Sequence, residues 1–391
     1  MKTIIRMTLL LCLVSCGTVI AGPKIEFWDR QRKGTNGDGG KDPEQWFAAA
    51  AEFGIEYVRL SPATWKGAGR DFLIGDADNF TGIPQADLKK LKSVLDTAER
   101  HGVKIVLTMF SLPGARWRQH NDYKFDYRLW NQESYQQQAL ESWRQFAGAL
   151  KNHPAVVAYN PLNEPHPARQ HGFESGTEEF VAWLEKNKGK TADLNRFNRR
   201  IVEAIRQVDQ DTPVMLDCWF HASPEGFRFL EPVEDKTVLY SFHFYDPWNF
   251  TTWRVNKERF SYPDKMPMDW SGKTERWTPR NLRDRVQPVV EWTRRHHIND
   301  ARIAAVEFGC DRRVDGARQY LDDLISALNE NNWHWAFYAF RSPDWDGLDY
   351  ELGTEKLNWK YWRAREAGKD HEDLIDRHDN PLWNVLKRQF K

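Results

Sequence analysis

Cysteine is scarce in this chain: four among 391 residues, at positions 12, 16, 218 and 310. Two lie in the N-terminal segment, so one internal bridge, Cys218 to Cys310, is the most the rest could form. An excess of either charge is also missing. Lys and Arg number 56 and Asp and Glu number 56, for a formal net charge of zero. Nucleic-acid binders carry a basic excess, and a partner chosen by bulk charge needs a field this chain lacks. No nucleic-acid partner is expected, and a neutral ligand fits better. Long apolar runs are absent as well. A bilayer span needs about 20 apolar residues, and the chain past residue 22 has none.

Several motifs are missing too. There is no Gly-x-Ser-x-Gly elbow, no P-loop and no zinc pattern. No histidine pair stands at metal-ligand spacing near a carboxylate; His296 and His297 are adjacent and cannot easily turn both rings to one ion.

Aromatic residues, by contrast, are plentiful at 14%, with 19 Trp. Flat ring faces suit core packing and also suit flat, partly apolar ligands such as sugars.

The N-terminus has the form of an export signal. Lys2 and Arg6 precede a short apolar stretch at 7–14, and 19–21 suits cleavage after Ala21. Leu13-Val14-Ser15-Cys16 also resembles a bacterial lipobox, in which Cys16 would carry the lipid. Both readings imply export, and the remaining region is a single domain over 22–391.

Strand-like and helix-like segments then alternate. Strands are expected at 56–60, 103–110, 155–162, 213–219, 237–245, 301–308 and 333–340, with a first one at 24–28 or slightly later. Helices are expected at 43–53, 84–101, 134–151, 193–208, 281–296 and 316–329, where apolar residues recur at three- and four-residue steps. Alternation implies parallel pairing and right-handed crossovers. Eight repeats, with no Gly-rich fingerprint after the first strand, favour a single-domain (β/α)8 TIM barrel over a doubly wound sheet. Residues 353–391 read as the last helix and a closing tail. On this plan Cys218 and Cys310 end strands two apart, about 10 Å from each other. A disulfide needs Cα atoms within about 7 Å, so free thiols are expected.

The long connections, 111–133, 165–190 and 246–280, all follow strands and so belong to the C-terminal face, where barrels of this kind carry their sites. They hold Trp117, Trp130, Trp248, Trp253, Trp270 and Trp277, divided between loop packing and a ligand cleft.

Glu164 follows the apolar run 155–162, and Glu307 closes Ile303-Ala304-Ala305-Val306. A carboxylate at the end of an apolar strand is costly unless partnered or used. Two of them, on the fourth and seventh strands, suit glycoside hydrolysis, in which one acid donates a proton and one carboxylate attacks.

Five features carry a resemblance. Asn163-Glu164-Pro165, after Tyr159-Asn160-Pro161-Leu162, resembles the fourth-strand motif of glycoside hydrolase family five, the large cellulase family. Val306-Glu307-Phe308-Gly309 resembles its seventh-strand motif, His243-Phe244-Tyr245 its sixth-strand His-x-Tyr, and Arg59 its second-strand arginine. Leu112-Pro113-Gly114 resembles its Pro-Gly after strand three. The resemblance implies a retaining hydrolase of β-linked neutral glycan, β-1,4-glucan by family frequency, working as a monomer without metal or cofactor. It implies Glu164 as acid/base and Glu307 as nucleophile. It also implies that Asn163 binds the sugar, that Tyr245 and Arg59 hold Glu307, and that His243 lines the same pocket. Two positions depart from the pattern. Phe110 stands where the family commonly has His. The eighth strand ends Tyr338-Ala339-Phe340-Arg341 where a Trp platform is common, and Trp345 is the expected substitute. Exo-acting β-glucosidase or β-1,3-glucanase action, mannanase action and a non-catalytic glycan-binding role are the alternatives.

Overall fold

The computed structural model describes residues 23–267, 273–342, 345–369 and 371–391. The signal and lipobox segment, Trp270, and the Pro343-Asp344 part of the turn before Trp345 lie outside the described residues.

Eight parallel strands close a barrel. They are β1 (Lys33–Gly37), β2 (Tyr57–Leu60), β3 (Lys104–Thr108), β4 (Val156–Asn160), β5 (Val214–Asp217), β6 (Val238–Phe244), β7 (Ile303–Phe308) and β8 (His334–Phe337), with β1 pairing both β2 and β8. The main helices are α1 (Pro43–Phe53), α2 (Gln85–Arg100), α3 (Glu133–Leu150), α4 (Leu194–Arg206), α5 (Pro279–His296) and α6 (Ala317–Glu330). The expected (β/α)8 barrel is therefore the observed fold.

Local chemistry explains the boundaries. Asp42 caps α1 by accepting from the Glu44 and Gln45 amides, Pro43 occupies the first turn, and Gly54 ends the helix at φ +83. In α5 the Thr278–Asn281 capping box and Pro279 start the helix two residues before the expected 281. Between β5 and β6 there is no long helix, only a turn at Trp219–Ala222 and a 3-10 segment at Pro224–Phe229. The tail forms two short helices, Trp359–Glu366 and Trp383–Lys387.

The first strand is a correction in part. Lys24–Trp28 is a 3-10 helix, and the strand comes later, at Lys33–Gly37. Trp28 is fully buried and donates its indole N–H to Val157 O at 3.0 Å. It packs among the inward-facing residues Tyr57, Val106, Met215, Leu239 and Val306, plugging the end of the barrel where the strands begin. β1 has no large apolar side chain because Tyr57 already fills the space: a Cβ at Gly34 would lie 2.5 Å from Tyr57 O. A polar, glycine-bearing strand gives no hydrophobic signal.

The barrel interior is thus apolar below and charged above. Period-two alternation turns Arg59, Asn160 and Asp217 inward in the upper layer. On β7 alternation alone would turn Val306 inward and Glu307 away. A bulge between Phe242 and His243 shifts the register, so that Glu307 pairs with His243.

Candidate active site

The three long connections line a cleft of about 1150 Å³ at the C-terminal face. The one after β4 contains an unexpected helix, Glu178–Asn187. The one after β6 adds a small hairpin, Lys265–Pro267 with Thr274–Arg276. Trp117 and Trp248 line the cleft, Trp130 borders it from a nearly buried position, Trp277 is buried in packing, and Trp253 lies under the Arg313 guanidinium at 4.8 Å.

At the cleft floor an oxygen of Glu164, an oxygen of Glu307 and a nitrogen of His243 all lie within 4.8 Å of one another. Glu307 is held on both oxygens. Arg59 Nη1 donates to Oε1 at 2.5 Å, and the Tyr245 hydroxyl donates to Oε2 at 3.0 Å. Burial pushes the Tyr245 phenol well up, so it stays a donor. Arg59 is itself buried and also donates to Asn36, Asn160 and Asn163 at 2.8–3.1 Å. The Asn163 oxygen is spent on Arg59, so its amide N–H groups are the donors left for a ligand.

Glu164 differs from Glu307 in exposure: its side chain is 36% accessible against 7%. Its Oε1 lies 3.0 Å from His243 Nδ1. Burial opposes a charge on His243, yet Glu307, Asp217 and Glu164 around it push its pKa up to about 10. Burial would raise Glu164, but the hydrogen bond and charge of His243 outweigh that and hold it below the usual range.

Sequence reasoning missed the group that ties these together. Asp217, the buried last residue of β5, accepts from Asn160 Nδ2 at 3.0 Å, Ser241 Oγ at 2.6 Å and the Glu164 amide at 3.0 Å. Its Oδ2 also faces Arg59 Nη2 at 3.5 Å and His243 Nε2 at 3.4 Å. Burial works against its charge, but His243 and then Arg59 hold it well below the usual carboxylate range. The signal was present: Asp217 ends an apolar strand just as Glu164 and Glu307 do. Asn36 and Asn160, which hold Arg59, gave no such signal.

Trp345 lines the cleft and is 40% exposed. Tyr338, also overlooked, lines the adjoining small lobe beside Asn36, Phe110, Trp117 and Trp345. Phe110 meets Trp117 edge-on at 5.1 Å. Phe340 turns away and packs on Trp46 and Trp383. Cys218 and Cys310 are buried free thiols.

A parallel barrel carrying two glutamates across one cleft, at the ends of its fourth and seventh strands, places the protein among the glycoside hydrolases. The family follows from comparison: a family model described as Cellulase (glycosyl hydrolase family 5) matches residues 26–343, and the chain belongs to that family. Endoglucanase C of Acetivibrio thermocellus is 22% identical over 324 residues, 76% of this chain and 83% of that protein. A beta-xylosidase of Phanerodontia chrysosporium is 24% identical over 305 residues, 76% of this chain and 52% of its own length. Endoglucanase Cel5A from Thermotoga maritima shares the fold, with a TM-score of 0.62 at 16% identity, over 93% of this chain and 100% of that one.

Proposed function

We propose that the protein is a retaining hydrolase of β-linked glucan, with Glu307 as nucleophile and Glu164 as acid/base. The observation that carries this reading is the spacing. One oxygen of each carboxylate lies within 4.8 Å of the other, a close approach that suits direct attack by a carboxylate. Inverting enzymes need about 6.5–9.5 Å and retaining ones about 5–5.5 Å. Glu307 attacks the anomeric carbon as the bond to the leaving oxygen breaks, and Glu164 protonates that oxygen. Water then attacks the glycosyl ester, giving its proton to Glu164 and releasing Glu307. The resting proton sits on the His243–Glu164 hydrogen bond, and transfer across it arms Glu164 as the acid. Asn163 offers its amide N–H to the sugar, and Trp345 offers a ring face.

β-Glucan is favoured by the endoglucanase relatives. A second reading, release of single sugars from chain ends, has its own support. The leaving group must lie beside Glu164, in the large lobe, so the retained sugars point toward the small lobe of about 40 Å³ between Tyr338 and Trp345. The Tyr338 and Trp345 rings meet edge-on at 6.3 Å and wall that lobe. Export belongs to the same reading, with removal of 1–21 or lipidation at Cys16, and so does action as a monomer.

The test is sugar release from β-1,4-glucan, β-1,3-glucan, mannan and short oligosaccharides, with E307Q as the blank. First products of mixed length support endo action, and a single small sugar from the start supports exo action. Release by E307Q equal to the parent's would sink the catalytic assignment.

A further inference from the structure

The cleft wall beyond Glu164 holds a second cluster, drawn from two loops distant in sequence. His166 follows the β4 strand end, Glu174 lies in the same connection, and His221 follows β5. One donor atom from each of the three lies within 4.8 Å of the other two. His166 is the anomaly. Its side chain is only 2% exposed, and neither ring nitrogen has a hydrogen-bond partner. Buried polar groups are nearly always satisfied, and an exception calls for a missing partner such as an ion or water. The His166 ring meets the His221 ring edge-on at 4.5 Å, and its Nε2 lies 3.4 Å from Glu174 Oε2.

The backbone is strained to bring His221 there. Phe220, His221 and Ala222 stand at φ +58, +54 and +60, a run of three non-glycine residues in the left-handed region. Each costs about 1–3 kcal/mol and persists only where its surroundings demand it. A cation already bridges two of the three donors: Arg169 Nη1 meets His221 Nε2 at 2.7 Å, and Nη2 lies 3.3 Å from Glu174 Oε1. The Arg169 side chain is about one-third exposed and borders the cleft, so it can swing into solvent.

We propose that His166, Glu174 and His221 form a binding site for a divalent transition metal, zinc by its donor set. Two imidazoles and one carboxylate are a three-ligand zinc set that leaves the fourth position to water. Burial keeps both imidazoles neutral, the form that binds metal. The ion replaces Arg169 and draws the three donors to bonding distance, joining the loop after β4 to the turn after β5. This donor set shares no residue with the Glu164, His243 and Glu307 group, although His221 neighbours Glu164, and it does not depend on the glycosidase reading.

The experiment is titration of the chelator-treated full chain with Zn²⁺ by calorimetry, with Co²⁺ absorption reporting the ligand geometry. One ion per chain is expected, with a rise in melting temperature of a few degrees at saturating zinc. H166A and E174Q should each weaken binding at least tenfold. R169M should tighten it severalfold, because a like charge leaves. E307Q should bind zinc as the parent does. Glu174 is exposed, so E174Q keeps the test valid even where H166A fails to fold. No stoichiometric binding by the parent, parent-like binding by E174Q, or loss confined to E307Q would overturn the proposal.

Discussion

Asp217 Oδ2 accepts the main-chain N–H of Glu164 at 3.0 Å. That bond holds Glu164 in the left-handed region, at φ +48, a conformation costing a side-chain-bearing residue about 1–3 kcal/mol. The carboxylate ending β5 thereby aims the glutamate that follows β4, while facing the histidine that shares its proton. One buried aspartate thus aims Glu164 and, with Glu307, helps keep His243 protonated.

Glu307→Gln should abolish turnover while oligosaccharide binding persists, because the shape stays and the attacking charge goes. The expected loss is on the order of 10⁴-fold or more in kcat. Turnover assays beside calorimetric binding check it; a variant that loses both together would point to a structural role.

Glu164→Gln should cost about 10²–10⁴-fold on glucan, the usual worth of a general acid. Glycosylation from activated aryl glycosides should suffer far less, since their leaving groups need little protonation. Pre-steady-state release of the aryl group reads this, and an equal loss on both substrates would refute the acid role.

Stability should depend on pH through His243. Its pKa rises from 6.5 to about 10 on folding. A raised base contributes stability that is whole below about 6.5 and is lost as pH climbs through about 10. The parent's melting temperature should therefore fall across that window. His243→Asn should be less stable at pH 6.5, by about 3 kcal/mol, as for a broken buried ion pair, and should fall less steeply. Parallel curves for the two proteins would count against His243 as the titrating group.

Trp345→Ala should raise KM about tenfold, equivalent to ~1.4 kcal/mol, with a smaller change in kcat. Phe340→Leu should lower the melting temperature and leave KM unchanged, since Phe340 packs against Trp46 and Trp383 rather than the cleft. Steady-state kinetics on one oligosaccharide separates the two. A KM shift in the Phe340 variant alone would reverse the assignment of the platform.

The barrel was legible because its helices carry strong apolar periodicity and its buried strands are continuous apolar runs. Helix α1 fell at its expected limits because Asp42, Pro43 and Gly54 mark both ends chemically. β1 was hidden because Gly34 makes way for Tyr57, leaving no apolar pattern to read. In the site, motif-bearing residues such as Arg59, Asn163, Glu164, His243, Tyr245 and Glu307 stand together. Asp217 was missed though it met the same strand-end criterion. His166 and His221 could not be paired by spacing, since only the fold brings the two loops together.

The Trp28 plug has a practical side. Lys24 Nζ, one turn before it, is held by the carbonyls of Lys151 and His153 just ahead of β4. At the other terminus Gln389 O accepts from Lys33 Nζ at the start of β1. Both ends of the described chain therefore leave from the back of the molecule. A fusion partner, surface tether or immobilising tag at either end would hold the protein with its cleft facing outward, toward the polymer.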